Sequence, residues 1–239
     1  NPVDKEPLWM PSDERVNNSN MKKFIYYVNK KYNKNFENYD QLYEWSITDL
    51  ENFWQAIAGF GEIKLSRQPG QILQKPENAD ETIFGHKRFV GAELNFAENL
   101  LRYRDDRTAI KYWYEDREKR YLTYAELYDK VAKCAEGLKQ LGVQKGDRVA
   151  GYISNNPEAI IAMLAATSIG AIWSSSSPDF GFQGVLDRFG QIQPKVLIAN
   201  DGYFYNGKKI DNSEKINHLA ETMTEMEKVV ILPTLNEST

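Results

Sequence analysis

Apolar positions recur at two different periods along the 239 residues, and the change of period divides the chain. Up to about residue 95 the spacing is helical where it is regular. Phe24, Tyr27, Val28 and Tyr32 predict one face of a helix over 20–32. Thr48-Asp49-Leu50-Glu51 has the spacing of a capping box, with Leu50, Phe53, Trp54 and Ile57 following on one helical face. That face needs a cover, and the expected cover is the second half of the chain. Residues 63–91 mix Gly, Pro and charge without a period and read as a linker along a surface.

From about Thr108 strands and helices alternate. Thr108–Tyr114 reads as a strand, Glu115–Arg120 as a charged turn and Tyr121–Thr123 as a short return strand. Thr123-Tyr124-Ala125-Glu126 is a second capping box. Behind it Leu127, Val131, Cys134, Leu138 and Leu141 form one stripe of an amphipathic helix, and Gly142 reads as its stop. Arg148–Ile153, Ala171–Ser175, Lys195–Ala199 and Val229–Leu232 read as strands. Between them lie helices from Pro157 to Ser168, from Phe182 to Gln193 and from Ser213 to Met223. Strands separated by helices of this length build right-handed β-α-β units on a parallel sheet, so the expected class is α/β. Ligands of such sheets bind beyond the carboxyl ends of the strands. The loops at 154–156, 174–182 and 199–209 are therefore the places where function is expected.

Charge and cysteine usage narrow the class. A net charge of −4 speaks against a nucleic-acid partner, whose binders carry a basic excess. The single cysteine, Cys134, cannot form an internal disulfide, which fits a reducing, cytoplasmic setting. The first nine residues hold no apolar run of signal-peptide type, and the longest apolar stretch, 159–166, is far short of a membrane span.

Local chemistry is sparse. His86 and His218 are far apart in sequence, so neither a metal site nor a histidine-dependent triad is expected. Cys134 lies on an apolar stripe and reads as a structural thiol. Gly59-Phe60-Gly61 follows a helix and lacks a third glycine, which removes it as a dinucleotide fingerprint. No phosphate loop with Gly-Lys-Ser or Gly-Lys-Thr occurs. The segment Ser174-Ser175-Ser176-Ser177-Pro178-Asp179-Phe180-Gly181 follows a buried strand. Its small residues suit either the close approach of a ligand or a polar cap on the next helix. Tyr205-Asn206-Gly207-Lys208-Lys209 has the Asn-Gly signature of a tight turn beside two lysines. It reads either as an anion site or as a solvated hairpin tip.

Several segments in order carry a resemblance. They are Trp9-Met10-Pro11-Ser12 followed by Arg15 to Asn20, Leu94-Asn95-Phe96-Ala97-Glu98-Asn99-Leu100-Leu101, and Leu122-Thr123-Tyr124-Ala125-Glu126-Leu127. Further along come Lys145-Gly146-Asp147-Arg148-Val149, Asn156-Pro157-Glu158, and Gly170 to Ser175 through Phe180-Gly181. Together they resemble the ATP-dependent acyl-CoA synthetases of the adenylate-forming family, and in particular its acetoacetate-activating branch. The resemblance implies a helical N-terminal cap over residues 1–95 and the first part of an AMP-binding domain over 96–239. It implies acetoacetate, ATP and CoA as small-molecule substrates, with Mg2+ in the complete enzyme.

The family's phosphate loop, ribose-binding Asp and adenylating Lys are not found in these residues. The resemblance therefore implies the N-terminal part of a longer synthetase, inactive alone, whose partner is the remainder of its own chain. It names no catalytic residue here. It does place CoA contacts, on Pro178, Asp179 and Phe180 in one loop and on Tyr205, Asn206, Gly207 and Lys208 in another. In that second element relatives carry Arg-Ala-Gly-Arg; here Tyr205 and Lys208 stand in place of the two arginines, with Lys209 able to replace the missing charge. Two rivals stay open: a synthetase for acetate, propionate or another short acid, and a non-catalytic module that binds CoA or nucleotide.

Overall fold

A computed structural model of the chain describes residues 9–76, 85–115 and 119–235. Asn1–Leu94 and Asn95–Thr239 form two compact units.

The first unit contains helices α1 (Asp13–Asn17), α2 (Asn20–Tyr32), α3 (Tyr39–Thr48) and α4 (Leu50–Phe60). Ser19 caps α2, its hydroxyl accepting from the Lys22 amide. The face predicted for α2 is turned inward, with Phe24, Ile25 and Val28 buried. Phe24 packs against Tyr27, Phe53 and Phe60, and Trp45 packs against Tyr32, Phe36 and Phe53. These rings pack Phe53 and Phe60 of α4 against α2 and α3 within this unit. The inward face of α4 centres on buried Ala56, while Ile57 remains exposed.

The capping box expected at Thr48 does not form. Thr48 is the last residue of α3, and its hydroxyl donates back to the Glu44 carbonyl. Asp49 separates α3 from α4, and its carboxylate accepts from the Trp45 indole and the Asn52 amide. The stretch read as a linker also differs. It contains β1 (Gln71–Gln74) paired antiparallel with β2 (Lys87–Val90), closed by a bridge between Arg67 and Glu93.

The second unit begins with α5 (Phe96–Leu100), the hairpin β3 (Thr108–Tyr112) and β4 (Arg120–Thr123), and helix α6 (Tyr124–Gln140). Asn95 explains why the chain turns here. Its Oδ1 accepts from the Glu98 amide at the start of α5, while its Nδ2 donates to the carbonyls of Thr167 and Ser168. One side chain thus caps two helix ends, satisfying groups that helices leave unpaired. The box at Thr123 forms as expected, with Glu126 and Thr123 bonding each other's backbone amides. Gly142 terminates α6 at φ +83, a conformation that residues with a Cβ avoid.

Strand β5 (Arg148–Tyr152), α7 (Pro157–Ser168), β6 (Ile172–Ser176), α8 (Phe182–Ile192) and β7 (Val196–Asn200) follow. The chain then forms the hairpin β8 (Gly202–Tyr205) and β9 (Lys208–Asp211), helix α9 (Ser213–Thr222) and β10 (Lys228–Leu232). The loop expected over 199–209 is therefore mostly an antiparallel hairpin. Strands β10, β7, β5 and β6 make a parallel sheet in that order.

Side chains alternate across that sheet. Val149, Val196 and Ile198 join the core formed with α6 and α7, while Ala150, Tyr152, Leu197 and Ala199 join the core formed with α8 and α9. The helices thus cover both faces, as parallel sheets require. The α/β class, with a helical first region and a mostly parallel β-α-β second region, holds.

One polar clamp locks the amino end of the sheet. The Asp147 carboxylate accepts from the Gln144 amide at 2.8 Å and lies 3.3 Å from the Lys195 ammonium. Lys195 in turn donates to the Gly142 carbonyl at 2.8 Å. The Gln144 amide, and then Lys195, hold the Asp147 carboxyl below its ordinary value of 3.8 against the opposing effect of burial. A depressed folded-state value stabilises the fold above the unfolded value, and that contribution is lost as pH falls through the folded one. Asp147→Asn is therefore expected to cost about 1 kcal/mol at neutral pH. The gap between variant and parent should close below the ordinary 3.8. Urea unfolding at neutral and acid pH measures both.

Candidate functional site

Strand β5 leaves the sheet toward α7 on one face, whereas its neighbours β6 and β7 lead to α8 and α9 on the other. A crevice opens at the carboxyl end of β5, as it does wherever adjacent strands of an α/β sheet diverge.

Two clefts occupy it. The first, about 380 Å³, lies between the β3–β4 hairpin and the strand ends. Its walls include Tyr112, Trp113, Tyr114, Arg120, Asn200 and Tyr203. Arg120 pairs with Glu158 at 2.5 Å and lies 3.5 Å from the Tyr114 hydroxyl. The second cleft, about 460 Å³, is lined by Ser154, Asn155, Ser177, Pro178, Asp179, Tyr203, Phe204 and Tyr205. Ser154, Tyr203 and Phe204 belong to both. The Ser154 hydroxyl has no hydrogen-bond partner among the described residues.

Pro178 and Asp179 enter the second cleft on a tight turn. The Phe180 amide donates to the Ser177 carbonyl at 3.3 Å, with Pro178 at the position whose fixed φ suits such a turn. The Tyr152 hydroxyl reaches the carbonyls of Pro178 and Phe180 at 2.8 and 3.0 Å, and the Lys215 ammonium lies 3.5 Å from the first of these. Burial, and secondarily the Asp179 carboxylate, raises the Tyr203 hydroxyl above its usual range, so it remains protonated and able to donate.

The facing wall is the β8–β9 hairpin. Asn206 and Gly207 adopt φ of 50 and 71, the left-handed pair that a two-residue hairpin of matching twist needs. Tyr205 faces Lys208 across the hairpin and Phe204 faces Lys209. At its base Gly202 leaves no room for a Cβ, because the Ile210 carbonyl and the Leu235 side chain occupy that space. Asn200, almost wholly buried, accepts from the Ser154 amide at 2.9 Å and donates to the Thr234 hydroxyl at 2.7 Å. Asp201 accepts from the amides of Thr234 and Leu235. These bonds tie the ends of β5, β7 and β10 together.

Of the eight residues marked by sequence, Pro178, Asp179 and Tyr205 meet at one cleft. Phe180 points elsewhere, its ring 4.3 Å from the Arg188 guanidinium. Asn206, Gly207, Lys208 and Lys209 form the hairpin tip and do not line the cleft. The Lys209 ammonium lies 5.7 Å from the Phe204 ring. Tyr203, Phe204, Ser154 and Asn200 lie in the loops 154–156 and 199–209 where function was expected, but sequence reasoning singled out none of them as a site residue. The aromatic run Gly202-Tyr203-Phe204-Tyr205 directly before Asn-Gly was a legible hairpin signal for the first two. Asn200 directly follows the strand read over 195–199, and nothing local marks its side chain as the tie between strand ends. Among the described residues, no group of three or more His, Cys, Asp and Glu side chains could hold a metal ion.

Residues 96–238 match the family model of AMP-binding enzymes, and residues 39–100 match that of the acetyl-coenzyme A synthetase N-terminus. The chain is 40% identical over 228 residues to the acetoacetyl-CoA synthetase of Macaca fascicularis, covering 95% of this chain and 33% of that protein. It is 35% identical over 243 residues to the malonamoyl-CoA synthetase vrtB of Penicillium aethiopicum, covering 98% of this chain and 32% of that one. Among solved structures, the acetoacetyl-CoA synthetase from Streptomyces lividans superposes with a TM-score of 0.90 at 35% identity, over 98% of this chain and 36% of that one. The chain thus spans about a third of the length of the curated relatives it matches.

Asn200 is the polar knot beneath both clefts. Asn200→Leu removes the acceptor of the Ser154 amide, and a buried polar group left without its hydrogen bond costs about 1–3 kcal/mol. A loss in that range, measured by denaturant unfolding, is the expected outcome; an unchanged midpoint would remove Asn200 as the tie between these strand ends.

Proposed function

The chain belongs to the AMP-binding enzyme family, and from that premise we propose that it forms the CoA-facing first part of an acid–thiol ligase that makes acetoacetyl-CoA. In that reaction the acetoacetate carboxylate attacks the α-phosphorus of ATP, giving acetoacetyl-adenylate and releasing pyrophosphate. The CoA thiolate then attacks the acyl carbonyl, forming the thioester as AMP leaves. We read the protein as a cytoplasmic one. Among the described residues no helix is long and apolar enough to cross a membrane.

The observation that carries this reading is the meeting of the Pro178–Asp179 turn with Tyr205 across one cleft at the carboxyl edge of the sheet. Tyr203, Phe204 and Tyr205 offer aromatic faces suited to a purine ring, and such stacking is worth about 1–3 kcal/mol per base. Lys208 and Lys209 stand just outside, at the hairpin tip, where a phosphate on the nucleotide end of CoA would meet them. Asp179 disfavours phosphate inside the cleft itself, so the charged end is assigned to the tip. Lysine holds phosphate as a point charge without the fork of arginine.

Adenylation is assigned to other residues of a longer synthetase, since the family's phosphate loop, ribose-binding Asp and adenylating Lys are not found among these 239. Choice of acid is assigned there too. The malonamoyl-CoA synthetase matches 98% of this chain, so the same stretch accompanies a different acyl group. A ligase for another short acid is therefore the second reading.

Two tests follow from this division. The 239 residues alone are expected to catalyse no acetoacetate-dependent exchange of pyrophosphate into ATP; turnover above a blank would refute the assignment of adenylation. In the same chain, CoA is expected to shift the amide resonances of residues 177–181 and 203–209. Lys208→Glu should weaken that binding by about ten- to a hundredfold, the equivalent of one charge-assisted hydrogen bond. Unaltered titration curves would make Lys208 an ordinary solvated side chain.

A further inference from the structure

We propose that Tyr152 is a positioning residue: its buried hydroxyl fixes the Ser177–Phe180 turn in the shape that presents Pro178 and Asp179 to the cleft. For CoA the proposal rests on the reading above; for the turn itself it stands on geometry alone.

Tyr152 ends the central strand β5 and is fully buried. Its ring belongs to the core formed by Val185, Phe189, Leu197 and Ala199. A ring packed at the density of a protein interior has no alternative rotamer, so its hydroxyl has one place to go. It goes to the turn, within 2.8 Å of the Pro178 carbonyl and 3.0 Å of the Phe180 carbonyl. A single O–H shared between two carbonyls spans the turn and sets its two ends relative to each other.

The donor is permanent. Burial, with Tyr203 and Asp179 adding to it, pushes the hydroxyl up to about 12, so it keeps its proton at any physiological pH. Core packing does not need this oxygen. Phenylalanine has the same ring, and an apolar pocket favours it. The hydroxyl's work is thus outside the core, on a turn that carries three cleft-lining residues, Ser177, Pro178 and Asp179. Lys215 approaches the Pro178 carbonyl from α9 at 3.5 Å, a long and weak second donor.

Without the Tyr152 hydroxyl, the Phe180 carbonyl loses the donor described here and the Pro178 carbonyl keeps only Lys215. The turn then samples other shapes, and a ligand must select the fitting one. Affinity falls by the fraction of chains that hold it.

The experiment compares Tyr152→Phe with Phe189→Leu in the 239-residue chain. The second variant disturbs the same core and touches neither turn nor cleft. Three quantities are read: melting temperature, hydrogen exchange of the Phe180 amide that closes the turn on the Ser177 carbonyl, and the CoA dissociation constant from amide shifts. Tyr152→Phe is expected to speed exchange at that amide, relative to the amides of β7, by about three- to tenfold, and to weaken CoA by a similar factor. Phe189→Leu should lower the melting temperature and leave both ratios unchanged. If the two variants behave alike at the turn, Tyr152 is only a core residue and the proposal fails.

If the parent chain shows no CoA shifts, the CoA reading fails, and the exchange data alone still decide whether Tyr152 holds the turn. Lys215→Met, which removes the weak second donor to the Pro178 carbonyl and leaves the Tyr152 hydroxyl in place, is expected to leave exchange at the turn equal to the parent's. Exchange as fast as that expected of Tyr152→Phe would assign the hold on the turn to Lys215 and overturn the proposal.

Discussion

Strand β5 runs between β6 and β7 with both edges paired and Val149, Ala150, Gly151 and Tyr152 all buried. A strand with no face or edge open to water must be covered on both sides, and each helix that covers it must leave and re-enter at the strand ends. The carboxyl ends therefore collect the polar loops, because a buried loop would strand its backbone groups. Both clefts follow from that one constraint. Asn200 and Tyr152 show how the constraint reaches outward: each sits on a buried strand and spends its polar atoms on a loop that lines a cleft. The core and the candidate site are thus joined through single side chains.

The β-α-β half was legible because its signals are local and agree with one another. Pro157 at the first turn of α7, the Thr123–Glu126 box, and Gly142 and Gly170 at positive φ each mark a boundary that burial pattern alone would leave loose. The N-terminal half was less legible for a physical reason. Its core is a set of aromatic rings from α2, α3 and α4, and which ring meets which is decided by packing across elements that periodicity does not connect. Thr48 carried a capping signature, but it ends α3 with its hydroxyl bonded back to the Glu44 carbonyl, and Asp49, bonded to Trp45 and Asn52, stands between the two helices. The β1–β2 pair was invisible for a similar cause. Its strands are four residues each, and only their pairing gives them a strand's identity.

The candidate site was half legible. Turn chemistry located Ser177–Phe180 and Asn206–Gly207, since Pro and Asn-Gly prescribe backbone shape directly. The residues that make those turns into walls could not be read the same way. In sequence Tyr152 lies inside the strand read over 148–153 and Asn200 directly after the one read over 195–199, and neither carries a local mark of its role. Their roles depend on what lies 26 and 46 positions away, in Pro178 and Ser154.

The two walls of the second cleft differ in how much order a ligand would have to impose. The Pro178 side is held by the Tyr152 hydroxyl and the Phe180–Ser177 bond before anything binds. The hairpin side is fixed at its base, where Gly202 fits under Leu235 and Asp201 accepts two amides. Its tip is free: Lys208 and Lys209 are exposed. Ordering one lysine side chain costs up to about 2 kcal/mol of rotamer entropy, and the net contribution of one charge-assisted hydrogen bond is still about 1.5–3 kcal/mol. On the proposed reading the wall already in place supplies the stacking surface, and the tip selects a ligand whose charge lies the right distance from its stacked ring. Tyr205 and Lys208, where the resemblance implies arginines, fit that division, because one of the two positions offers aromatic surface to the cleft instead of charge.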